Sequence, residues 1–409
     1  MPDAADLAAL NALRAAGDVP PVCDRLRRMD ALLVGDAGRE AVDASSARAL
    51  YGELQTQSIT RLERFADCPF KYYVSYGLHP DRVEPFELNR RQEGIFLHDA
   101  VNAFLRAHRK ELNDMTPEDA EARMGRIADE LLEHMRVGTP MEDSASARAE
   151  SRMLRATACR CARVLAEHMR GSAFRAEQLE RSFGREDGAN QLRAGDTVLE
   201  GRIDRMDLWP EGNSLRVIDF KLGGKPLNLA GAYHGLQLQL PVYLGAAMKE
   251  RGARSAGVYY FALDEGVVNT QTTDPHQVEK ERAKGFRMTG LLPEDIDLIR
   301  AQTPDPESVF KAQFKRDGEL DGRVARADDK NFERLVRHVL KQAEKHIARI
   351  RAGEAAVSPA NFDGREACTL CDYRAACLYD PKLDAGKQRR LNNIKWNEVF
   401  EKIALEDNE

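Results

Sequence analysis

The strongest constraint on the fold is a run at positions 201–221 that reads GRIDRMDLWPEGNSLRVIDFK. Apolar and charged residues alternate along both ends of this run, which is the two-residue period of a β-strand. A strand predicted at Thr197–Trp209 and a strand predicted at 215–221 are separated by the turn-forming residues of 210–214. The run therefore predicts a β-hairpin.

Helical periodicity and one further strand surround this hairpin. A helix is predicted over 58–68, and an amphipathic helix over 94–109 (GIFLHDAVNAFLRAHR). Helical character continues to about Arg170, and the apolar run AGVYYFAL at 256–263 predicts a strand. The region 276–353 is charged and is predicted to be mostly helical. These patterns predict an α/β fold, with a mixed central sheet flanked by helices and with helical N- and C-terminal segments.

Two acidic residues and a lysine are predicted to lie close together on the hairpin. Asp219 and Lys221 are two residues apart and therefore project from one face of their strand. If the turn closes around 212–213, Asp204 lies opposite Lys221 and diagonal to Asp219, within about 5–8 Å. Such carboxylates can bind a divalent metal ion that supports phosphodiester hydrolysis. Surface ion pairs within each strand, such as Asp204 with Arg205, fit the same alternation, so spacing alone leaves both interpretations open.

Three cysteines near the C-terminal end form a second chemical pattern. Cys368, Cys371 and Cys377 follow the spacing C-x2-C-x5-C, in a chain that has seven cysteines. An odd number of unevenly spread cysteines does not suit a secreted disulfide framework, so we expect a reducing, cytoplasmic location. Four thiolates bind zinc or an iron–sulfur cluster, and the spacing does not choose between these two.

The charge balance limits where a nucleic acid could bind. The formal net charge is -6 and the pI is about 6.0, so any site for a polyanion is local. Basic runs at 152–163, 311–326 and 387–395 are candidate phosphate contacts or simply solvated helix faces. No apolar run approaches the roughly 20 residues of a membrane span, so no membrane partner is expected.

The hairpin and the segment that follows it resemble the successive motifs of a known nuclease family. GRIDRMD, then a strand ending in IDFK, then QLPVY occur in the order and at the spacing of RecB-type nucleases of the PD-(D/E)XK superfamily. This resemblance implies a restriction-endonuclease-like core that binds Mg2+ or Mn2+ through Asp204 and Asp219. It also implies that Lys221 is the catalytic lysine and that Gln239 and Tyr243 form the family's Q-x-x-x-Y pair, which shares one helix face.

Two further metal ligands are implied by the same resemblance. The segment GIFLHDAV is similar to the family's Gly-x-x-x-His motif, which implies that His98 binds the metal. The segment LERSFG is similar to the family's sequence around a glutamate that precedes the motif hairpin, which implies the same role for Glu180. The local spacing is loose, and Glu177 is the alternative.

A fourth cysteine is also implied by resemblance. The segment RFADCPFKYYVSYGL around Cys68 is similar to the sequence at the first cluster cysteine of AddB-type nucleases, which implies a [4Fe–4S] cluster. The implied cluster ligands are Cys68, Cys368, Cys371 and Cys377. Ligands at both ends of a domain close a long loop, so we expect a structural clasp rather than a redox centre. No role is predicted for Cys23, Cys159 or Cys161.

The resemblance to the C-terminal region of AddB-type proteins covers roughly 50–379. The predicted divisions are a helical leader at 1–50, a nuclease domain at 51–380 and a tail at 381–409. Within the domain, the predicted parts are a core at about 91–270, a helical region at 271–355 and the cysteine segment at 356–380.

The resemblance implies a metal-dependent deoxyribonuclease that acts on DNA ends or single strands in double-strand break repair and recombination. AddB-type proteins work with a helicase motor of the AddA type, and the sequence contains no G-x-x-x-x-G-K-[ST] phosphate loop. A catalytically silent DNA-binding scaffold for a helicase partner is one alternative, which intact Asp204, Asp219 and Lys221 disfavour. A zinc-stapled protein with an unrelated enzyme activity is another. The sequence is compatible with a fragment, a split subunit and a free-standing nuclease.

Overall fold

The structure is a computed structural model that describes residues 41–80, 90–136, 145–223, 226–271, 273–316 and 318–407. Its α-helices are α1 (Ala44–Tyr51), α2 (Ile59–Asp67), α3 (Pro69–Tyr72), α4 (Arg90–His108), α5 (Pro117–Arg136), α6 (Ala145–Met169), α7 (Leu229–Tyr233), α8 (Gln239–Arg251), α9 (Pro275–Ala283), α10 (Ile296–Gln302), α11 (Pro306–Val309), α12 (Asp329–Arg351), α13 (Arg374–Cys377) and α14 (Trp396–Glu406). A π-helical turn follows α3 at Tyr73–Leu78, and 3-10 turns lie at Arg185–Asn190, Lys284–Phe286 and Ala385–Lys387.

The strands follow the same order along the chain. They are β1 (Thr56–Ser58), β2 (Arg175–Phe183), β3 (Arg193–Ala194), β4 (Thr197–Trp209), β5 (Ser214–Lys221), β6 (Arg254–Ala262), β7 (Thr289–Pro293), β8 (Arg326–Ala327), β9 (Ala360–Phe362), β10 (Arg365–Glu366) and β11 (Arg389–Leu391). The two strands of the predicted hairpin and the predicted strand at 256–263 are therefore confirmed as β4, β5 and β6.

A mixed sheet forms the centre of the fold, as the sequence predicts. Its strands run in the order β1-β4-β5-β6-β7-β8, and β2 and β3 also pair with β4. The β4–β5 and β6–β7 pairs are antiparallel, whereas β5–β6 is parallel. A parallel pair needs a crossover connection, and α8 lies in the connection between β5 and β6. The predicted α/β class with a mixed sheet flanked by helices is confirmed.

Helices cover both faces of this sheet and create two apolar cores. The alternation along β5 sends Leu215 and Val217 into the first core and Ile218 and Phe220 into the second. The first core also contains apolar residues of α2, α8, α12 and α14, and the second contains those of α4, α5 and α6. Because both faces are covered, the central strand β6 is buried along almost its whole length and is nearly all apolar.

The pairing register of the hairpin differs from the predicted one. The structure pairs Arg205 of β4 with Ile218 of β5. Continued by one residue, this register brings Asp204 level with Asp219. The prediction that Asp204 lies opposite Lys221 is therefore wrong.

The turn of the hairpin explains this difference. Trp209 pairs directly with Ser214, so the turn is centred one residue earlier than predicted. A Cβ atom at Gly212 would come within 2.3 Å of the Trp209 ring, and Asn213 adopts a left-handed φ of 43°. The tryptophan ring can pack on the turn because residue 212 is glycine.

The region 276–353, predicted to be mostly helical, also contributes to the sheet. It contains α10, α11, α12 and most of α9, but β7 and β8 lie there too and extend the sheet beyond β6. The sequence of β7, TGLLP, is five residues long, which is too short to distinguish strand alternation from a helical pattern. The prediction is wrong for these two strands.

The structure describes the two ends of the chain to different extents. Residues 1–40 of the predicted leader, including Cys23, lie outside the described residues. In the segment predicted as a tail, β11 pairs with β9, and Val399, Phe400 and Ile403 of α14 are buried in the first core. This segment therefore packs as part of the main body. In the described ranges, no helix is both long enough and apolar enough to span a membrane.

A buried group of three charges lies on the paired strands β4 and β5. Arg205 Nε donates to Asp207 Oδ1 at 2.6 Å, and Arg216 Nε donates to Asp207 Oδ2 at 2.8 Å. All three side chains are at most 1% exposed. The partner of Arg205 is therefore Asp207 rather than Asp204. Burial opposes ionisation of Asp207, but the two guanidinium groups outweigh this effect and lower the pKa of the carboxyl.

We expect Asp207→Asn to lower the free energy of unfolding by roughly 3–5 kcal/mol, because it leaves two buried guanidinium groups without a countercharge. Urea denaturation at neutral pH measures the change. A matched control is Asp297→Asn, which removes an exposed ion pair with Arg300 and should cost less than about 1 kcal/mol.

The pH dependence of stability tests the ionisation of Asp207 in the same pair of proteins. A carboxyl whose pKa is lowered by folding stabilises the fold above its ordinary pKa of 3.8, and this stabilisation is lost as the pH falls from there through the lower folded value. Wild type should therefore lose stability more steeply than Asp207→Asn in this acid range. Parallel curves would contradict an ionised Asp207.

Candidate functional site

The candidate site lies where β4 and β5 stop pairing. Beyond the pair of Arg205 with Ile218, the backbone N–H of Phe220 donates to Asp204 Oδ2 at 2.8 Å. The strand ladder thus ends on a side-chain carboxylate. Asp204 is held at the point where the two strands separate.

One group of three ligand atoms in the described part of the chain is close enough to share a metal ion. It comprises His98 of α4, Glu180 of β2 and Asp204 of β4, whose ligand atoms all lie within 4.8 Å of one another. His98 Nε2 is 3.4 Å from Asp204 Oδ1 and 3.7 Å from Glu180 Oε1. The hydrogen bond to Asp204 raises the pKa of His98, although burial opposes this effect. Two carboxylates and an imidazole suit a divalent ion such as Mg2+ or Mn2+.

Glu180 occupies an unusual backbone position in β2. Its φ is 52°, in the left-handed region that non-glycine residues rarely adopt, and the register of β2 against β4 shifts earlier in the strand, between Ala176 and Gln178. The side chain of Glu180 is 7% exposed, whereas that of Glu177 is 52% exposed. Of the two glutamates that the sequence left open, the structure brings Glu180 to His98 and Asp204.

Two side chains that the sequence did not single out hold the Glu180 carboxylate. Asn102 Nδ2 donates to Glu180 Oε1 at 2.7 Å, and Arg202 Nε lies 2.8 Å from Glu180 Oε2. Asn102 Nδ2 also lies 3.0 Å from His98 Nδ1, so one amide group orients two candidate ligands. The signal for Asn102 was present in the sequence, because it follows His98 by four residues on one helix face.

Asp219 is buried beside Lys221 and Gln239, next to the group of three ligand atoms. Lys221 Nζ is 2.5 Å from Asp219 Oδ2, and Gln239 Nε2 donates to Asp219 Oδ1 at 2.9 Å. Burial and the charge of Asp204 raise the pKa of Asp219 to about 7, against the opposing effect of Lys221. The structure therefore brings the two aspartates and the lysine together, although not in the predicted register.

Gln239 and Tyr243 lie behind Asp219. They are one helical turn apart on α8, and Gln239 Nε2 is 3.1 Å from the Tyr243 hydroxyl. Tyr243 is buried, and burial raises its pKa. The Gln239 amide thus contacts both Asp219 and the Tyr243 hydroxyl.

Glu63 is a further residue at the site that sequence reasoning missed. Its Oε1 accepts the backbone N–H groups of Leu238 and Gln239 at 2.7 and 2.9 Å. It therefore caps the N-terminus of α8, where N–H groups have no partner within the helix. No local pattern could indicate this contact, because Glu63 and Leu238 are 175 residues apart.

The four cysteines of the predicted cluster lie near one another. Burial, followed by the influence of Cys68, Cys371 and Cys377, raises the pKa of the Cys368 thiol to about 11. Cys68 therefore lies within electrostatic range of Cys368, although the two are about three hundred residues apart in the sequence. By contrast, Cys159 and Cys161 are buried among apolar side chains of the second core.

Hydrogen bonds fasten the two distant parts of the chain together around these thiols. The backbone N–H of Phe70 donates to the carbonyl of Ala356 at 3.0 Å. Arg389 Nη2 donates to the backbone carbonyl of Asp67 at 3.2 Å. The segment around Cys68 is thereby held against the C-terminal cysteine segment.

Comparison with known proteins identifies a family relationship. A sequence profile of the PD-(D/E)XK nuclease superfamily matches residues 56–378. This range includes the candidate metal ligands, Lys221, the residues that orient them and the four cysteines of the predicted cluster.

Curated relatives share about 30% identity with most of the chain. The B subunit of an ATP-dependent helicase/deoxyribonuclease from Acetivibrio thermocellus is 30% identical over 392 residues, which cover 90% of this chain and 34% of the relative. Proteins with the same description from Symbiobacterium thermophilum and Alkaliphilus oremlandii are 31% and 28% identical, covering 88% and 90% of this chain and 32% and 34% of each relative. The chain spans about a third of the length of the curated relatives it matches.

We expect Glu180→Gln to weaken Mn2+ binding at least about tenfold, because it removes a charged oxygen from the group of candidate ligands. Isothermal titration calorimetry on the purified protein measures the affinity. Glu177→Gln is the matched control, since it makes the same chemical change on the same strand at an exposed position, and it should bind Mn2+ like wild type. Equal affinities in all three proteins would exclude Glu180 from the metal site.

Proposed function

The chain belongs to the PD-(D/E)XK nuclease superfamily, and from this premise we propose that it is a divalent-metal-dependent deoxyribonuclease that hydrolyses phosphodiester bonds at DNA ends or in single strands. The observation that carries the proposal is the convergence of His98, Glu180 and Asp204 next to the buried pair of Asp219 and Lys221. Carboxylates, an imidazole and an ammonium group at this spacing suit metal-assisted phosphodiester chemistry better than a purely structural role.

The residues of the site have separate roles in this proposal. His98, Glu180, Asp204 and Asp219 are the residues that hold Mg2+ or Mn2+. When bound, the metal ion supplies activation of the attacking water and neutralisation of charge on the phosphate oxygens.

Lys221 holds its ammonium group beside Asp219, where it orients the attacking water and contacts the scissile phosphate. Gln239 orients the second oxygen of Asp219, and Tyr243 supports Gln239. The contacts of Gln239 and Tyr243 favour this positioning role over direct contact with the DNA strand.

A helicase partner and a role in DNA repair belong to the same proposal. The relatives are described as B subunits of ATP-dependent helicase/deoxyribonucleases, and this sequence has no phosphate loop of the G-x-x-x-x-G-K-[ST] type. We infer that the chain cuts DNA in double-strand break repair and recombination together with a separate ATP-driven motor of the AddA type. Free cysteines around the cluster site favour the reducing cytoplasm as its location.

For the cysteine group we propose a [4Fe–4S] cluster bound by Cys68, Cys368, Cys371 and Cys377. The electrostatic influence of Cys68, Cys371 and Cys377 on Cys368 and the resemblance around Cys68 support this assignment. The cluster acts as a clasp between the two ends of the domain, because closing so long a loop removes conformational entropy from the unfolded chain.

The main rival is a catalytically silent scaffold that binds DNA for a helicase partner. A scaffold needs neither a buried Asp219 in contact with Lys221 nor a histidine close to two carboxylates. Those contacts bring several carboxylates close together, and their repulsion lowers the stability of the folded protein when no metal ion is bound. They therefore favour the nuclease.

We expect Asp219→Ala to lower the rate of single-strand cleavage in Mg2+ at least about a thousandfold, which corresponds to roughly 4 kcal/mol. DNA binding should survive, because the change removes a negative charge and leaves basic surface residues in place. Lys221→Ala should be similarly impaired in cleavage but should bind Mn2+ like wild type, since lysine is not a ligand.

Cleavage of a labelled oligonucleotide and calorimetric Mn2+ titration measure these two properties, with the exposed Glu177→Gln as the active control. Wild type that is folded, loaded with iron and inert on DNA in Mn2+ would support the scaffold instead. Cleavage by Asp219→Ala at the wild-type rate would show that the hairpin does not form the active site.

We expect Cys371→Ser to lower the iron content and the thermal stability of the whole domain, because binding of the cluster is coupled to folding. Iron analysis, the visible absorption of anaerobically purified protein and thermal unfolding measure these effects. Cys159→Ser is the control, and it should retain its iron. A colourless wild type that contains zinc would overturn the cluster assignment.

A further inference from the structure

A cavity of about 620 Å³ adjoins Lys221. One part of its lining comes from β6 and β7 and includes Tyr260 and Thr289. Another part comes from the segments 311–313 and 323–325. Apart from Lys221, no residue of this cavity has a role in the proposed chemistry.

The charged side chains that line the cavity are all positive. They are Lys221, Arg287, Lys311 and Arg323. No aspartate or glutamate from the described part of the chain joins them. Because the whole chain has a formal net charge of -6, this is a local excess of positive charge of the kind that binds a polyanion.

Two of these cations have no carboxylate partner among the residues that the structure describes. Arg287 donates to the backbone carbonyls of Lys284 and Glu307 at 3.2 and 3.4 Å, which orient its guanidinium group without neutralising it. Lys311 is exposed, and its backbone N–H donates to the carbonyl of Met288 at 2.8 Å. Both residues are thus held by backbone contacts while their charges stay available.

The size of the cavity favours single-stranded over double-stranded DNA as its ligand. A volume of 620 Å³ corresponds to a cube about 8.5 Å on a side, whereas the major groove of B-DNA alone is about 12 Å wide. The cavity is therefore smaller than a segment of double helix. One or two nucleotides of a single strand fit, with their phosphates exposed to the basic lining.

We propose that this cavity binds the phosphate backbone of single-stranded DNA and leads the strand to Lys221. This role rests on the proposed nuclease function, whose site shares Lys221 with the cavity. Arg287 and Lys311 each contact one phosphate. Contacts of this kind position the strand without reading its sequence.

The test compares two double variants by fluorescence anisotropy in EDTA, so that binding is measured without cleavage. One variant carries Arg287→Gln and Lys311→Gln. The control carries Lys330→Gln and Lys345→Gln, which remove the same charge from exposed positions on α12 outside the cavity. The probes are an oligothymidylate of about 20 nucleotides, longer than most single-strand sites, and a blunt duplex of the same length.

We expect the cavity variant to bind the oligothymidylate about 25-fold more weakly at 0.1 M NaCl, with a plot of log affinity against log salt that is less steep by about 1.4. This follows from two lost phosphate contacts at roughly 0.7 each. The control should change the affinity by about twofold or less. Thermal unfolding checks that both variants are folded.

Equal weakening in the cavity variant and the control would overturn the proposal, and so would equal weakening toward single strand and duplex. Failure of the binding-site proposal can be distinguished from failure of the nuclease proposal. Wild type that is inert in Mn2+ but loses single-strand affinity in the cavity variant would refute the nuclease and leave the binding site intact. Active wild type whose cavity variant binds unchanged would refute the binding site alone.

Discussion

The end of the pairing between β4 and β5 is the feature on which the candidate site depends. There, Asp204 Oδ2 accepts the backbone N–H of Phe220, so a buried donor is satisfied by a side chain rather than by the neighbouring strand. The other oxygen of Asp204 is left facing His98 at 3.4 Å. One carboxylate thus ends the strand pairing and also belongs to the group of candidate metal ligands.

Two buried aspartates on the same pair of strands have pKa values that are shifted in opposite directions. Around Asp207, two guanidinium groups surround one carboxylate, and the pKa of the carboxyl falls. Around Asp219, burial and a second carboxylate dominate, and its pKa rises to about 7 despite Lys221. The first arrangement favours the ionised carboxylate, whereas the second opposes ionisation, and perturbed pKa values of the second kind are frequent at functional sites.

Helix α2 connects the cysteine group with the candidate active site. Glu63 of this helix caps α8 at Gln239, and Gln239 in turn donates to Asp219. The same helix ends at Asp67, immediately before Cys68, where the C-terminal cysteine segment is fastened. A single short helix therefore contacts both the residues that orient Asp219 and the segment that carries Cys68.

The sequence by itself determined the hairpin and the main flanking helices, because strand alternation and helical periodicity act over a few residues. The candidate residues of both sites came largely from the resemblance of short motifs to a nuclease family. Only the tertiary structure decided the hairpin register, the sheet partners β7 and β8, the choice of Glu180 over Glu177, and the contacts of Glu63 and Arg202. The turn contact between Gly212 and the Trp209 ring is local, but the other features depend on surroundings that form when distant segments pack. A carboxylate 175 residues away, for example, caps a helix. Local propensity carries no information on such contacts, since their partners become neighbours only in the folded chain.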